Sequence, residues 1–326
     1  MNSEARRWLR HAVAFTLILL ALATGVHLIL VRGYSKQAGG SYGNWNRIVQ
    51  GRAAAEIGVF GSSGALIDFD CEVIAAHTGK SCLNYGMAAG FNDLLDPVAE
   101  VLLAHNPPPK VAVLTLSIMS FMVNTQPTDS SQFMPYFNEA PMYDHLVSLD
   151  GRFRYWRYLP LYGIAMDGLP NIRFAIGGLM GKTVEPRPLG FMPMDVPWDG
   201  TFEEFVQNAP HGQSYDVEDI SVKATERFLS LMRKKNVPVV LVCPPEWVTM
   251  QSYELNRAAI FQRFAEFARQ NGAPLFDYTR QPISQQKELF YNPRHLNARG
   301  ARQFSAMFAE DLNKVLADPG YRLPGQ

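Results

Sequence analysis

Ile57-Gly-Val-Phe-Gly-Ser-Ser-Gly64 decides the fold, because it joins a short apolar run to a tight Gly/Ser turn. The apolar run predicts a buried strand over 57–60. Gly61 and Gly64 allow the backbone to crowd together at the end of that strand. A serine in this position has its hydroxyl lifted above the edge of a sheet, as a nucleophile requires. The turn is a weak signal by itself, since Gly/Ser turns end many strands.

Downstream of this strand, apolar runs alternate with amphipathic stretches. The runs predict strands at 57–60, 81–85, 111–116, 239–242 and 274–276, and the amphipathic stretches predict helices at 70–79, 96–105, 217–236, 252–271 and 298–316. Strands that alternate with helices imply a parallel sheet covered on both faces. A site in such an α/β fold lies at the carboxyl ends of the strands.

The composition of the 326-residue chain excludes some functions. Lys+Arg and Asp+Glu are both 30, so no basic excess is present for a nucleic-acid partner. The three cysteines, Cys71, Cys82 and Cys243, lie in no pattern with metal-ligand spacing. We therefore predict neither a metal site nor a cofactor. Cys71 and Cys82 can pair in an oxidising compartment, or all three can be buried thiols.

The amino-terminal segment predicts a membrane anchor. Residues 12–31 form an uncharged run of the length that a helix needs to cross a bilayer. Arg6, Arg7 and Arg10 precede the run, which predicts a cytoplasmic N-terminus and a periplasmic main domain at the inner membrane. A cleaved signal peptide with its cleavage site at 21–23 is the alternative, but the apolar run continues eight residues beyond Ala23.

One long segment interrupts the alternation of strands and helices. Residues 119–215 are rich in Pro, Met, Gly and aromatic residues and contain no clear strand. Such a length exceeds an ordinary loop, so the segment is either an inserted cap over the strand ends or packing decoration. The expected organisation is a tail at 1–11, a transmembrane helix at 12–31, a linker at 32–50, an α/β domain at 51–318 with the insertion at 119–215, and a tail at 319–326.

A second candidate element lies before the last helix, in the sequence NPRHLNARG at 292–300. A histidine in this position, His295, can reach the strand ends and act as a general base. The alternative for a lone histidine is a helix-capping or surface role.

Together, the Ser63 turn and the His295 block resemble the SGNH (GDSL-like) hydrolase family, over most of 55–317 apart from the insertion. The resemblance implies a three-layer α/β/α flavodoxin-like fold of the SGNH type, with Ser63 as nucleophile and His295 as base. It also implies an oxyanion hole built from the Ser63 backbone N–H, a glycine after the second strand and an asparagine after the third. Gly90 and Gly86 are the candidates for that glycine.

The chain departs from the family pattern at two places. The family's triad acid is Asn292 here, and an amide supplies no charge to orient the histidine. Asp277, at the end of the last strand, is the alternative carboxylate; it can also be a turn residue. No asparagine follows the third strand in 116–120. The GxND sequence at 90–93 follows the second strand, where we expect it to begin a helix.

Three functions follow from these residues. By resemblance, the chain is an acyl esterase or O-acyltransferase acting on cell-envelope carbohydrate through a serine acyl-enzyme, beside a multi-pass acyltransferase partner. Alternatively, it is a catalytically impaired glycan-binding or scaffolding subunit of an envelope polysaccharide complex, which Asn292 favours. A purely structural tethered domain is the third alternative, and it predicts that Ser63 and His295 lie far apart.

Overall fold

The computed structural model describes residues 3–88, 92–123 and 130–318, and the chain within it forms two compact units. The membrane-helix unit comprises 1–46 and 129–186, and the sheet unit comprises 47–128 and 187–326. The helices are α1 Ser3–Tyr34, α2 Gly40–Val49, α3 Ser63–Asp68, α4 Cys71–Thr78, α5 Leu95–His105, α6 Ala140–Leu149, α7 Phe153–Tyr158, α8 Ile172–Leu179, α9 Thr201–Asn208, α10 Asp219–Lys234, α11 Val248–Gln251, α12 Arg257–Asn271 and α13 Ala298–Ala317.

The sheet unit is built on five parallel strands. They are β1 Ile57–Phe60, β2 Cys82–Asn84, β3 Val111–Thr115, β4 Val239–Cys243 and β5 Leu275–Asp277, in the spatial order β2-β1-β3-β4-β5. All five coincide with predicted apolar runs to within one or two residues. The predicted α/β class with a parallel sheet is therefore confirmed.

Helices cover both faces of this sheet. Alternate side chains of β1, Ile57 and Val59, point into a buried cluster that includes Phe304 and Phe308 of α13. On the opposite face the Phe60 ring packs edge-on against Phe228 of α10, with ring centroids 5.1 Å apart. The apolar run of β1 is thus explained by burial on both sides, as is usual for a parallel strand.

Local end signals placed α4 correctly. The carboxylate of Asp70 accepts hydrogen bonds from the backbone N–H groups of Glu72 and Val73, and Gly79 ends the helix with φ of 65°. A disulfide joins Cys71, at the start of α4, to Cys82 in β2, while Cys243 is a buried free thiol. Of the two alternatives for Cys71 and Cys82, the structure shows the disulfide and not two free thiols.

The membrane-helix unit contains α1, which is long and apolar enough to cross a membrane. Its other elements include α2, α6, α7 and α8. An aromatic cluster forms its interior, in which Phe137 packs on Phe153 and Trp156, and Trp45 packs on Phe133.

Two boundaries differ from the sequence prediction. The expected linker at 32–50 is wrong in part, because residues 40–49 form α2, whose Trp45 and Ile48 are buried. The expected insertion at 119–215 is divided: 129–186 belongs to the membrane-helix unit, and 187–215 belongs to the sheet unit. The described residues of 119–215 form helical turns and short helices, with α9 in the second part. A cap over the strand ends remains a prediction.

Candidate active site

The order of the strands reverses at β1, which lies between β2 and β3. In open parallel sheets, ligands bind at the carboxyl ends of the strands beside such a reversal. Ser63, the first residue of α3, follows β1 at this place. Gly61 makes the turn possible, because its φ is 145° and a Cβ there would lie 1.9 Å from Oγ1 of Thr115 in β3. Only glycine lets β1 end this close to β3.

The structure brings the two predicted residues together. Ser63 Oγ lies 2.8 Å from Nε2 of His295, although 232 positions separate the two in the chain. His295 begins a two-residue strand, β7 His295–Leu296, which pairs antiparallel with β6 Phe290–Asn292. This hairpin was not predicted from the sequence. It turns back through Pro293 and Arg294, and so directs the imidazole at the serine.

Asn292 fixes which nitrogen of His295 carries the proton. Its Oδ1 accepts hydrogen bonds from the backbone N–H groups of Arg294 and His295, both at 2.9 Å. Backbone N–H groups only donate, so the atom facing them is the amide oxygen. The same oxygen lies 3.0 Å from His295 Nδ1, which must therefore donate. Nε2 is left as the acceptor facing the Ser63 hydroxyl, which is the tautomer that a general base needs.

The surroundings of His295 favour its neutral form. Burial, followed by the nearby Arg294 guanidinium, lowers the pKa of His295 to about 4, against the opposing charges of Glu246 and Asp199. The imidazole is thus unprotonated at neutral pH and free to accept the Ser63 proton. The low pKa also means that an imidazolium formed by proton transfer from Ser63 would be poorly stabilised.

Asp277 does not take the place of a triad acid. Its Oδ1 accepts hydrogen bonds from the backbone N–H of Thr279 at 2.9 Å and from its hydroxyl at 2.6 Å, as a strand-end turn residue does. The acceptor at His295 Nδ1 is Asn292 instead. The carboxylates whose charge reaches His295 are Glu246, after β4, and Asp199, in the segment before α9. Neither was predicted, because no local motif marks them.

Asp68, at the last position of α3, connects the nucleophile helix to the histidine hairpin. Its Oδ1 accepts a hydrogen bond of 2.8 Å from the backbone N–H of Leu296, the residue after His295. The side chain is fully buried, and its Oδ2 has no hydrogen-bond partner. Burial raises the pKa of Asp68 well above its usual range, against the effect of the Leu296 hydrogen bond. The sequence did not predict a role for Asp68, because an isolated aspartate is normally expected on the surface.

Of the oxyanion candidates, the Ser63 backbone N–H stands at the first turn of α3, where helix geometry supplies no acceptor. Gly86 is not such a donor, because its N–H is bonded to Oδ1 of Asn84 at 2.8 Å. Gly90 lies outside the described residues. Asn92 begins a helical turn before α5, as expected, and its amide nitrogen donates to Thr225 Oγ1.

Asn84, the last residue of β2, holds the nucleophile helix in place. Its amide nitrogen donates to the carbonyl oxygens of Ala65 at 2.6 Å and Phe69 at 3.0 Å. The side chain is almost fully buried, so all of its polar groups are used inside the protein. Asn84, to which the Gly86 N–H is bonded, therefore supports α3.

A buried ion cluster lies behind the hairpin. The Arg294 guanidinium contacts the carboxylates of Glu246 at 3.0 Å and Glu254 at 2.7 Å. Arg257 pairs with the same two carboxylates, and Tyr215 OH bonds to Arg294. Two guanidinium groups and two carboxyl groups thus pair inside the fold, where burial and the Glu246 charge raise the pKa of Glu254 to about 7. Because Arg294 precedes His295, the cluster anchors the turn that positions the base.

An aromatic patch adjoins the same hairpin. The rings of Trp198 and Phe202 both pack edge-on against Trp247, at 5.0 and 4.7 Å, and the Lys287 ammonium lies over both Trp rings. The backbone N–H of Trp247 donates to the Pro293 carbonyl at 3.0 Å. Trp198 and Trp247 are partly exposed, so the hairpin that carries His295 also adjoins half-buried tryptophans.

Within the described residues, no group of three or more His, Cys, Asp or Glu side chains could hold a metal ion. No protein-family model matches the chain, and no curated protein matches it significantly.

Proposed function

We propose that the protein is a membrane-anchored acyl esterase or O-acyltransferase of the SGNH type, acting on cell-envelope carbohydrate through a Ser63 acyl-enzyme. The observation that carries the proposal is the 2.8 Å contact between Ser63 Oγ and His295 Nε2, at the carboxyl end of β1. A structural tether has no need for such a pair. The strand order 2-1-3-4-5, the flavodoxin-like order, supports the proposed fold family.

In the proposed reaction, Ser63 Oγ attacks the carbonyl carbon of an ester while His295 Nε2 takes the hydroxyl proton. The tetrahedral intermediate collapses, the acyl group stays on Ser63, and His295 returns the proton to the leaving alcohol. Water or a sugar hydroxyl then attacks the acyl-enzyme, with His295 again accepting its proton. The bond between the acyl carbon and Ser63 Oγ breaks, and His295 returns the proton to Ser63. Hydrolysis and transfer differ only in this second nucleophile.

The cellular setting is part of the proposal. α1 anchors the protein in the inner membrane with its N-terminus in the cytoplasm, and the sheet unit lies in the periplasm. The Cys71–Cys82 disulfide supports this side of the membrane, because disulfides persist in oxidising compartments. A multi-pass acyltransferase in the same membrane is the proposed source of acyl groups, and the acceptor is a carbohydrate.

A second candidate function is a catalytically impaired subunit that binds or scaffolds envelope glycan. Two observations favour it: the residue orienting His295 is the uncharged Asn292, and the Gly86 N–H is bonded within its own turn. Each removes a contribution that is worth orders of magnitude in serine acyl transfer.

The deciding experiment follows hydrolysis of a chromogenic acetate ester by the full chain in detergent. The full chain is needed because residues 1–46 pack with 129–186 in one unit. Ser63→Ala and His295→Ala are each compared with Ser62→Ala, a matched control one residue away. We expect both test variants to lose at least about a hundredfold in kcat/KM, with Ser62→Ala unchanged.

If folded wild type hydrolyses the ester no faster than Ser63→Ala, the esterase reading is wrong. The assay is then repeated in membranes with an acyl donor and envelope polysaccharide, following label on Ser63. Absence of label there, together with binding of the polysaccharide by both wild type and Ser63→Ala, would establish the scaffold function instead.

A further inference from the structure

The membrane-helix unit places a second segment directly against the outer end of α1. A Cβ on Gly33 would lie 2.2 Å from the carbonyl oxygen of Ala175 in α8, and a Cβ on Gly178 would lie 2.1 Å from the carbonyl oxygen of Gly33. The two helices therefore cross with their backbones in contact. Small residues at a crossing of this kind are typical of helices that pack within a membrane.

A hydrogen bond sets the depth of the segment. The backbone N–H of Leu161 donates to Nδ1 of His27 at 3.4 Å. His27 lies inside the apolar run 12–31, roughly 6 Å along the helix from its outer end at Val31. A residue that contacts His27 therefore lies at the depth of the outer boundary of the hydrocarbon core. The chain around Leu161 is therefore at the boundary between lipid and water.

The same segment exposes several large apolar side chains. We define the outer apolar patch as Tyr158, Met166, Leu169, Ile176 and Met180, whose side chains are 70%, 53%, 61%, 48% and 62% exposed. Soluble surfaces rarely collect so many large apolar side chains in one short segment. Phe153 and Trp156 of α7 point inward, so the outward apolar residues are additional to a complete aromatic interior.

Charge in this segment is mainly positive, although Arg152 pairs with Asp150 just before it. Residues 152–182 contain the basic residues Arg152, Arg154, Arg157, Arg173 and Lys182 against the single acid Asp167. Exposed arginines alternate with exposed tyrosines in α7, as Arg154, Tyr155, Arg157 and Tyr158. Basic and aromatic side chains around an apolar surface are characteristic of elements that lie in the headgroup region of anionic membranes.

We propose that residues 155–180 form an interfacial membrane element, in which the outer apolar patch is immersed in the outer leaflet beside α1. The inference rests on the proposed role of α1 as a transmembrane anchor. The element is a second, monotopic membrane attachment, and its basic residues contact anionic headgroups. The protein is then fixed to the bilayer at two places and is held in a defined rotation about the α1 axis.

The test places one fluorescent thiol label at a time on the full chain in nanodiscs of zwitterionic and anionic lipid. Labelling is selective because Cys71 and Cys82 are paired and Cys243 is buried. The test positions are Leu169→Cys and Met180→Cys. Leu20→Cys in α1 is the membrane control, and Glu310→Cys, exposed on α13, is the aqueous control. Quenching is measured with lipids carrying a nitroxide near the headgroup or deep in the chain.

We expect both test labels to be quenched more by the shallow nitroxide than by the deep one, the reverse order at Leu20, and little quenching at Glu310. Test labels unquenched while Leu20 is quenched would overturn the proposal and leave the anchor intact. A blue-shifted but unquenched test label would also overturn it, because the patch would then be covered by protein. An unquenched Leu20 label would refute the anchor itself, and the interfacial element with it.

Discussion

Asn292 determines how the catalytic pair can work. Its single oxygen accepts from three donors, two backbone N–H groups and Nδ1 of His295, and so fixes both the turn and the tautomer. The His295 ring is thereby oriented without a carboxylate. The missing contribution is charge, because an amide does not stabilise the imidazolium that forms when Ser63 attacks.

Asn292→Asp is therefore expected to raise esterase activity. In a serine triad the opposite exchange costs about 10⁴ in turnover, and we expect a gain of at least about tenfold here. The measurement is kcat/KM on the acetate ester, with Asn297→Asp, at the N-cap of α13, as control. Wild-type samples keep the amide during storage, because Pro293 has no N–H to attack it and form a succinimide. Lower activity in Asn292→Asp would contradict this account.

The pH profile provides an independent check. A base must be unprotonated to act, and the pKa of His295 is lowered to about 4 by burial and by the Arg294 charge. We expect the acid limb of kcat/KM near pH 4 in wild type. In Asn292→Asp the new negative charge favours the imidazolium, so the limb should move upward. A wild-type limb near 6.5, the ordinary value for histidine, would show that the imidazole is solvated.

Asp68→Asn is expected to stabilise the sheet unit at neutral pH. Burial raises the pKa of Asp68, so the folded state holds a proton that the unfolded chain releases above about pH 4. Stability is thus lost as pH rises through the range between the two values. Asparagine keeps an acceptor for the Leu296 N–H and does not ionise.

We expect Asp68→Asn to gain about 1–3 kcal/mol in the free energy of unfolding at pH 8, and less at pH 5. Denaturant unfolding at the two pH values measures the difference, with Asp318→Asn, after the last helix, as control. An equal change at both pH values would show that the Asp68 carboxyl does not titrate with folding.

At the scale of elements, the sequence predicted what local signals determine. β1, β3 and β4 are apolar runs buried on both faces, and Asp70 and Gly79 mark the two ends of α4. The β6–β7 hairpin escaped prediction because its residues are held by distant partners, such as Asp68 and Glu246. Ser63 and His295 could be predicted because one follows a strand and the other precedes a helix. Asn84, Asp68 and Asp199 lie in no comparable sequence motif.

The buried ion cluster makes the hairpin sensitive to a single change. Arg294→Met leaves Glu246 and Glu254 with only Arg257 as a buried cation. Removing one partner from a buried ionic group typically costs about 3–5 kcal/mol, and we expect a loss of that size in unfolding free energy. Arg263→Met, on the exposed face of α12, is the matched control and should change stability little. Equal effects of the two variants would show that the cluster contributes nothing specific.

The disulfide between α4 and β2 also gives a measurable expectation. The bond closes a short loop with a sequence separation of 11, for which loop entropy predicts about 3 kcal/mol of stabilisation. Unreduced, denatured protein from membranes should expose one reactive thiol, and reduced protein should expose three. Cys71→Ser with Cys82→Ser should lower the unfolding free energy, with Cys243→Ser as a comparison. Three thiols before reduction would indicate a reducing compartment.

At the scale of the whole molecule, the proposed topology puts the sheet unit on the opposite side of the membrane from the N-terminus. Protease added to spheroplasts is expected to digest the sheet unit and to leave an N-terminal tag intact, because the tag precedes Arg6, Arg7 and Arg10. Lysed cells, in which the tag must be lost, are the control. Protection of the sheet unit in intact spheroplasts would reverse the orientation and place the disulfide in the cytoplasm.

The division of the chain between the units has a consequence for biosynthesis. α1 ends at Tyr34, but its packing partner α8 begins only at Ile172, with the first three strands of the sheet unit made in between. At about 5–20 residues per second, roughly 7 to 28 seconds pass before α8 is synthesised. During that interval the face of α1 around Gly33, here called its glycine face, and His27 lack the described contacts with Ala175 and Leu161. Ribosomes stalled after β3 should therefore carry an inserted helix whose glycine face is open to the insertion machinery.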